Sequence, residues 1–359
     1  MKIALVVDYY EPYLRRFETA LDTRQLGFRA HLDAIVSDYF GSFGSYRNHF
    51  RGLGHDVELF IGNHTLLQEK WLREAGRPES STSIGKLGVV LEQLRSFSPD
   101  AIFIGSMFEY YGSFMRQAAS VAKAVFAWIA CPYPDRLDLD GIRCIVSSAP
   151  SFVRSFRRKG LNAEQLDAAF DPDILKALGT VERDIPVSFI GGLSSRTHSF
   201  RVRTLERLAR SGLPLAVWGY GLERRWLGLR ASPIAPFYHG PVWGLDYYRA
   251  LARSRITLNL HVDVAKQQDL AGNMRAYEAT GCGAHLVTDG GGEFARLFHD
   301  GEEVSVFQSA AQLPDLLRRF AMQPRESGRI ALAGQRACLT RHAYAARILE
   351  FERILERYT

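Results

Sequence analysis

Two short stretches of this sequence bring together residue types that handle a phosphorylated ligand. The first is Gly191-Gly192-Leu193-Ser194-Ser195-Arg196, set between an apolar run and a helical one, with Arg201 and Arg203 close behind. A strand-to-helix turn of this composition can wrap a phosphate with its backbone N–H groups while the arginines supply cations. A tight turn with solvated arginines would look the same. The second stretch is Gly272-Asn273-Met274-Arg275-Ala276-Tyr277-Glu278. It reads as the start of a helix, whose first turn leaves N–H groups unpaired at a positive dipole end, a seat for diphosphate. Arg275 and Glu278 stand three residues apart and share one face. The arginine can neutralise a diphosphate while the glutamate accepts hydrogen bonds from ribose hydroxyls. A surface salt bridge has the same spacing. Gly281 and Gly283 are expected to stop this helix in the left-handed region.

Other candidates follow apolar runs. Asp8-Tyr9-Tyr10-Glu11 offers Asp8 or Glu11 as a general base for an acceptor hydroxyl, and Asp8 reads equally as a helix cap. Glu109 stands among Phe108, Tyr110 and Tyr111, a composition that suits sugar recognition or a packing contact. Two prolines would hold Tyr133 and Asp135 in a rigid loop. Gly219-Tyr220-Gly221 leaves room for a nucleobase at Tyr220, and His239, ahead of Trp243, borders the same kind of pocket. His239 and His261 also read as ordinary structural histidines.

The elements that position these residues alternate along the chain. Apolar runs such as Lys2–Val7, 56–61, 101–104 and 124–129 are separated by amphipathic stretches, the pattern of a parallel sheet covered on both faces. The alternation restarts after Ala169–Ile185, with strands expected at 186–190, 215–218, 237–239, 256–262, 284–288 and 304–307. One helix is expected over 31–51, interrupted at Gly41 and Gly44. Two doubly wound α/β domains result, 1–175 and 176–340, followed by a terminal helix over 341–359. In such sheets ligands bind beyond the carboxyl ends of strands, where all of these candidates fall.

Composition narrows the classes. At 359 residues the chain suits two domains, and its net charge of +6 fits a protein that handles phosphorylated ligands or rests near acidic lipids. No basic run is interleaved with aromatics, so no nucleic-acid partner is expected. Cys131, Cys144, Cys282 and Cys338 form no CxxC pair and no metal-spaced cluster, which points to a reducing cytoplasm and no metal site. No apolar window is long enough to span a bilayer. A cytoplasmic protein follows, with peripheral membrane association left open.

The second stretch also carries a family likeness. Asn259-Leu260-His261, followed by Gly272 through Gly283 (GNMRAYEATGCG) and by Asp300-Gly301-Glu302-Glu303, resembles the donor-site signature of CgeB-like bacterial glycosyltransferases, similar to glycosyltransferase family 4. Asp8 through Leu14, Gly52 through Glu58, Pro99-Asp100 and Ala169 through Pro172 extend the resemblance over nearly the whole chain. It implies a GT-B fold, two Rossmann-like domains facing across a cleft, with the last helix crossing back to the first.

By that resemblance the protein is a metal-independent, hexosyltransferase-type enzyme, of the kind that builds cell-surface polysaccharide. It would move a sugar from a UDP-, GDP- or dTDP-linked donor to a glycan, lipid-linked or protein acceptor, with no permanently bound cofactor. Glu278 falls on the second glutamate of the family E-x7-E motif, which binds ribose. Gly191 and Gly192 fall on the diphosphate loop, with Arg196 or Arg201 as its basic partner. Leu270 stands where the first glutamate would be, with Asp269 one residue away. A nucleotide-sugar epimerase on the same fold and a non-catalytic sugar- or nucleotide-binding module are the alternatives.

Overall fold

Strands β1 (Lys2–Val7), β2 (Asp56–Ile61), β3 (Ala101–Ile104), β4 (Ala124–Trp128), β5 (Cys144–Ser147) and β6 (Ala163–Gln165) form one parallel sheet in the order β2-β1-β3-β4-β5-β6. The computed structural model describes residues 1–77, 80–134, 137–194, 197–221, 232–261, 273–290 and 292–359, with backbone alone at 80–84 and 292–293. The strands are buried because both faces are covered: Val6, Ile104, Ala127 and Ile145 pack with Val90, Phe114 and Phe156 from the intervening helices. The final helix, Tyr344–Tyr358, belongs to this unit. Its Phe351 ring meets Phe103 edge-on at 4.7 Å and Tyr46 at 5.5 Å, a large apolar area removed from water at one point.

The second unit, Ala168–Ala343, repeats the plan. Strands β7 (Ile185–Ile190), β8 (Leu215–Trp218), β9 (Ser254–Asn259), β10 (His285–Thr288) and β11 (Ser305–Val306) run parallel in the order β11-β10-β9-β7-β8. Register between β7 and β9 pairs Val187 with Ile256 and Ser188 with Thr257, and the two buried hydroxyls satisfy each other at 2.9 Å. Phe170 groups with this unit, ahead of the break expected near 175. Its backbone bridges to Ala343, and its ring lies against Gly281.

Several expectations give way to local physics. No strand forms over 237–239. The chain makes a 3-10 turn at Ala235–Phe237 and a single bridge from Tyr238 to Val217, because Pro236 and Pro241 lack ladder donors. The helix expected over 31–51 is two helices, Phe28–Ser37 and Phe43–Gly52, with Tyr39 and Gly41 at positive φ between them. Gly281 is the last residue of helix Met274–Gly281 rather than a left-handed stop: a Cβ there would stand 2.3 Å from the Phe170 ring. The left-handed residue is Gly283, at φ 74°.

Each sheet has one place where successive strands depart in opposite directions. In the first it lies between β1 and β3, in the second between β7 and β9. These are the crevices in which open α/β sheets hold ligands.

Candidate functional site

In the second unit the crevice is built by glycine and arginine. Gly191 ends β7, and its N–H donates to the Trp218 carbonyl at 3.0 Å. A Cβ on Gly191 would lie 3.2 Å from both Nη atoms of Arg275. One on Gly192 would lie 2.6 Å from His198 Nε2. Side chains at these two positions would enter the space over the turn and press on the ends of Arg275 and His198. The Arg275 and Arg201 guanidiniums stand 5.5 Å and 5.4 Å from the Phe189 ring, placing two cations around one aromatic.

The two arginines differ in what they do. Arg201 is 5 % exposed. It donates through Nε and Nη2 to the Leu260 carbonyl at 3.0 and 2.6 Å, and through Nη1 to the Gly192 carbonyl at 2.7 Å. It therefore braces the ends of β7 and β9 across the crevice. Arg275 lies in the first turn of helix Met274–Gly281, and its Nε is buried with no hydrogen-bond partner among the described residues. A buried, unpaired N–H on a cation is expensive unless a ligand completes it.

The rest of that helix start is also held by side-chain hydrogen bonds. Asn273 occupies the N-cap, with its side chain making no capping bond. Its Nδ2 donates to Asn259 Oδ1 at 2.8 Å, and Asn259 Nδ2 donates to Thr288 Oγ1 at 3.1 Å. Asn273 Oδ1 is buried without a donor among the described residues. Met274 begins the helix, where N–H groups lack intrahelical acceptors. Glu278, one turn on, is half-buried. Its Oε2 accepts from the Tyr247 hydroxyl, and its Oε1 from Tyr248 at 3.4 Å. Burial raises its carboxyl above the usual glutamate range, opposed by Tyr247 and by the Arg275 charge. The same burial, reinforced by Glu278, pushes the Tyr247 phenol well up, so it stays protonated and donates. The alternative of an ordinary surface salt bridge between Arg275 and Glu278 does not describe this arrangement: Tyr247 meets both of them.

Aromatics flank the glycine turn. Tyr220, 41 % exposed, stacks on Trp243 with centroids 5.4 Å apart. His239 is exposed and stacks on Trp218 at 4.7 Å, while its backbone N–H donates to Val217. Both residues are exposed beside the carboxyl end of β8. His261 lies deeper, where its backbone N–H and Nδ1 reach the same Asp289 Oδ1 at 2.9 and 2.7 Å. Both groups are nearly fully buried. The carboxylate thereby fixes the orientation of the imidazole at the carboxyl ends of β9 and β10.

The crevice of the first unit is different. Asp8 does not cap the following helix, whose N-cap is Tyr10. Its Oδ1 instead accepts from the Tyr110 hydroxyl at 2.5 Å and its Oδ2 from Lys86 Nζ at 2.6 Å. Its backbone N–H donates to Ser106 Oγ at 2.8 Å, across the switch point. Lys86 reaches on to Glu109 Oε2 at 3.2 Å. Burial works against the Lys86 charge, yet Asp8 and Glu109 together hold its pKa above the usual value. Burial beside Asp8 drives the Tyr110 phenol far upward. Gly62 admits the Tyr110 hydroxyl, which would lie 1.9 Å from a Cβ there. Glu11 is exposed at the first turn of helix Glu11–Ala20, apart from this cluster.

Glu18, His31 and His64 place donor atoms within 4.8 Å of one another, the spacing of a metal triad. Their hydrogen bonding argues for a brace instead. His64 Nδ1 accepts from the Leu67 N–H at 3.3 Å, which leaves its proton on Nε2, 2.9 Å from Glu18 Oε1. His31 Nδ1 is buried without a partner among the described residues, and its Nε2 faces the same oxygen at 2.7 Å.

Asp135, Arg196 and Gly272, with Asp269 and Leu270, lie outside the described residues. Lys86, Tyr247, Tyr248 and Asp289 were not legible as site residues. Each lies on a different element from the motif it serves, and no spacing rule links them.

Residues 196–353 match the family described as glycosyl transferase-like. Among solved structures, the avilamycin A biosynthesis glycosyltransferase AviGT4 is 17 % identical with a TM-score of 0.64, over 99 % of this chain and 97 % of that one. HepE of Anabaena, solved with UDP-glucose, is 11 % identical with a TM-score of 0.62, over 99 % and 100 %. Sucrose-phosphate synthase of Thermosynechococcus elongatus is 11 % identical with a TM-score of 0.59, over 99 % and 98 %. No curated protein matches the chain. The two parallel-sheet α/β units are those of the GT-B glycosyltransferase fold.

Proposed function

We propose that the chain is a glycosyltransferase that takes a sugar from a nucleoside-diphosphate donor, held in its second unit, and passes it to a glycan, lipid-linked or protein acceptor. The observation that carries this reading is Arg275. A cation at a helix N-terminus, over a glycine turn, with a buried N–H that lacks a partner among the described residues, is suited to an anion. Glu278, held by Tyr247 and Tyr248 on the same helix, is the acceptor for ribose hydroxyls. The exposed Tyr220–Trp243 pair and His239 offer stacking surfaces for the base.

Transfer breaks the bond between the anomeric carbon and the diphosphate oxygen and joins that carbon to the acceptor oxygen, whose proton leaves. Charge grows on the departing diphosphate, where Arg275 and the helix N–H groups are aimed, so the leaving group is stabilised without a metal ion. Arg201 serves as a positioning residue, since its hydrogen bonds run to the carbonyls that frame the seat. Asp8, Glu11, Glu109 and Asp135 are the acceptor-side candidates for receiving the proton, with Asp8 and Glu109 joined through Lys86.

The HepE complex with UDP-glucose supports UDP as the first donor to try. A thermal-shift screen of UDP-, GDP- and dTDP-sugars, repeated with Glu278→Ala, tests the reading. One nucleotide class raises Tm in the native chain, and the variant loses that response while keeping its fold. Unchanged stabilisation in Glu278→Ala overturns the ribose assignment. Interconversion of the donor with no acceptor present replaces transfer by epimerisation.

A further inference from the structure

A cavity of about 530 Å³ opens in the second unit at the amino ends of β7, β8 and β9, the edge opposite the glycine turn. A six-residue strand separates the two edges by roughly 20 Å at the usual rise. The volume is that of a site for a small organic ligand. Its wall on one side is the face of helix Pro324–Arg341, where Gly328 and Ala331 leave the space unfilled. A Cβ on Gly328 would meet nothing within 4 Å. Pro186, Leu213, Phe320 and Leu332 make the interior apolar, and Leu332 remains 52 % exposed at the mouth.

Two guanidiniums border this apolar space. Arg183 is held by its Nη1 on the Ser254 carbonyl at 2.9 Å and its Nη2 on the Cys282 carbonyl at 3.0 Å. Arg255, exposed at the cavity edge, bonds through Nε to the Arg183 carbonyl at 3.0 Å. Neither arginine has a carboxylate within ion-pair distance among the described residues, and the carboxylate whose charge reaches Arg255, Asp184, is already paired with Arg253. Burial lowers the Arg183 pKa, the mark of a positive charge that neighbouring groups do not offset. Gln335, also lining the space, donates to the Gly281 carbonyl at 2.9 Å. The polar edge is therefore fixed in place before any ligand arrives.

We propose that this cavity is a binding site for an amphiphilic carboxylate, its apolar body against Phe320 and Leu332 and its acid group on Arg183 and Arg255. The chemistry selects that class: an apolar chamber of this size excludes a bare anion, and two guanidiniums at its edge disfavour a cationic guest. The site is separate from the donor seat and does not depend on the glycosyltransferase reading.

Calorimetric titration of the full chain with laurate tests it. Saturable one-site binding is expected, unchanged by excess UDP. Gly328→Trp fills the chamber and abolishes the signal, whereas Gly328→Ala retains it. Arg255→Gln weakens binding about tenfold, the worth of one exposed charge-assisted contact. If Gly328→Trp does not fold, Ala331→Phe narrows the same space and has the same expected effect. Absence of saturable binding, binding that survives the filling variant, displacement by UDP, or binding only to phosphatidylglycerol vesicles would each overturn the proposal.

Discussion

The two switch-point crevices of this protein share a topology and differ in what they leave unsatisfied. In the first unit, Asp8 is fully engaged by Tyr110 and Lys86, and Lys86 also reaches Glu109. In the second, Arg275 Nε and Asn273 Oδ1 are buried without partners among the described residues, beside glycines that keep the space open. A crevice whose charges already neutralise one another is stable by itself and waits for a substrate to compete. A crevice with orphaned polar atoms is strained until a ligand completes it. It is on the Arg275 side of this contrast that the proposed anion seat rests.

Perturbing each side should expose that difference. The largest effect is expected for Arg201→Ala, which strands the Leu260 and Gly192 carbonyls in the crevice and removes a buried cation's three hydrogen bonds. The cost should be roughly 3–5 kcal/mol in a denaturant titration, with nucleotide affinity lost as a consequence. A loss under about 1 kcal/mol would show that the brace is dispensable.

Acid should act next. His285, fully buried on β10 between Ser305 and Ser327, has its pKa lowered by burial to about 4. The unfolded chain binds this proton from about pH 6.5 downward and the fold resists it, so stability falls as pH drops from there toward the folded value. The loss amounts to roughly 3 kcal/mol from this group. His285→Gln should flatten the slope of Tm over that interval, and an unaltered slope would place acid sensitivity elsewhere.

The smallest effects separate the two carboxylates by sign. Asp8→Asn removes an ion pair at a partly exposed site and should lower stability by about 1 kcal/mol or less. Glu278 has a raised carboxyl pKa in the fold, so its ionisation opposes folding above the usual glutamate range. Glu278→Gln should therefore raise Tm at pH 8, with the gain vanishing as pH falls low enough to protonate the native carboxyl. Equal signs for the two substitutions at pH 8 would erase the distinction between the crevices.

What the sequence made legible follows its physics. The parallel sheets could be read because apolar runs such as Lys2–Val7 need no partner to be recognised. The helix start at Asn273-Met274-Arg275 was readable because its residues are adjacent in the chain. Helices Leu313–Met322 and Pro324–Arg341 were missed, although Pro314 and Pro324 sit in their first turns. Arg201, expected with Arg196 as one of two alternatives for the cation of the diphosphate loop, also spans β7 and β9, a role hidden in the sequence because only the sheet order brings Leu260 and Gly192 together. Lys86 gave no local sign of its role, because Asp8 lies on β1, far away in sequence.

The central claim, that the helix beginning at Asn273 and Met274 seats a nucleoside diphosphate through Arg275, is tested most directly by calorimetry with UDP and uridine. Arg275→Ala should weaken UDP binding about tenfold to a hundredfold, the worth of a charge-assisted contact to phosphate, and leave uridine binding unchanged. Equal affinity for UDP in the variant and the native chain would contradict the account.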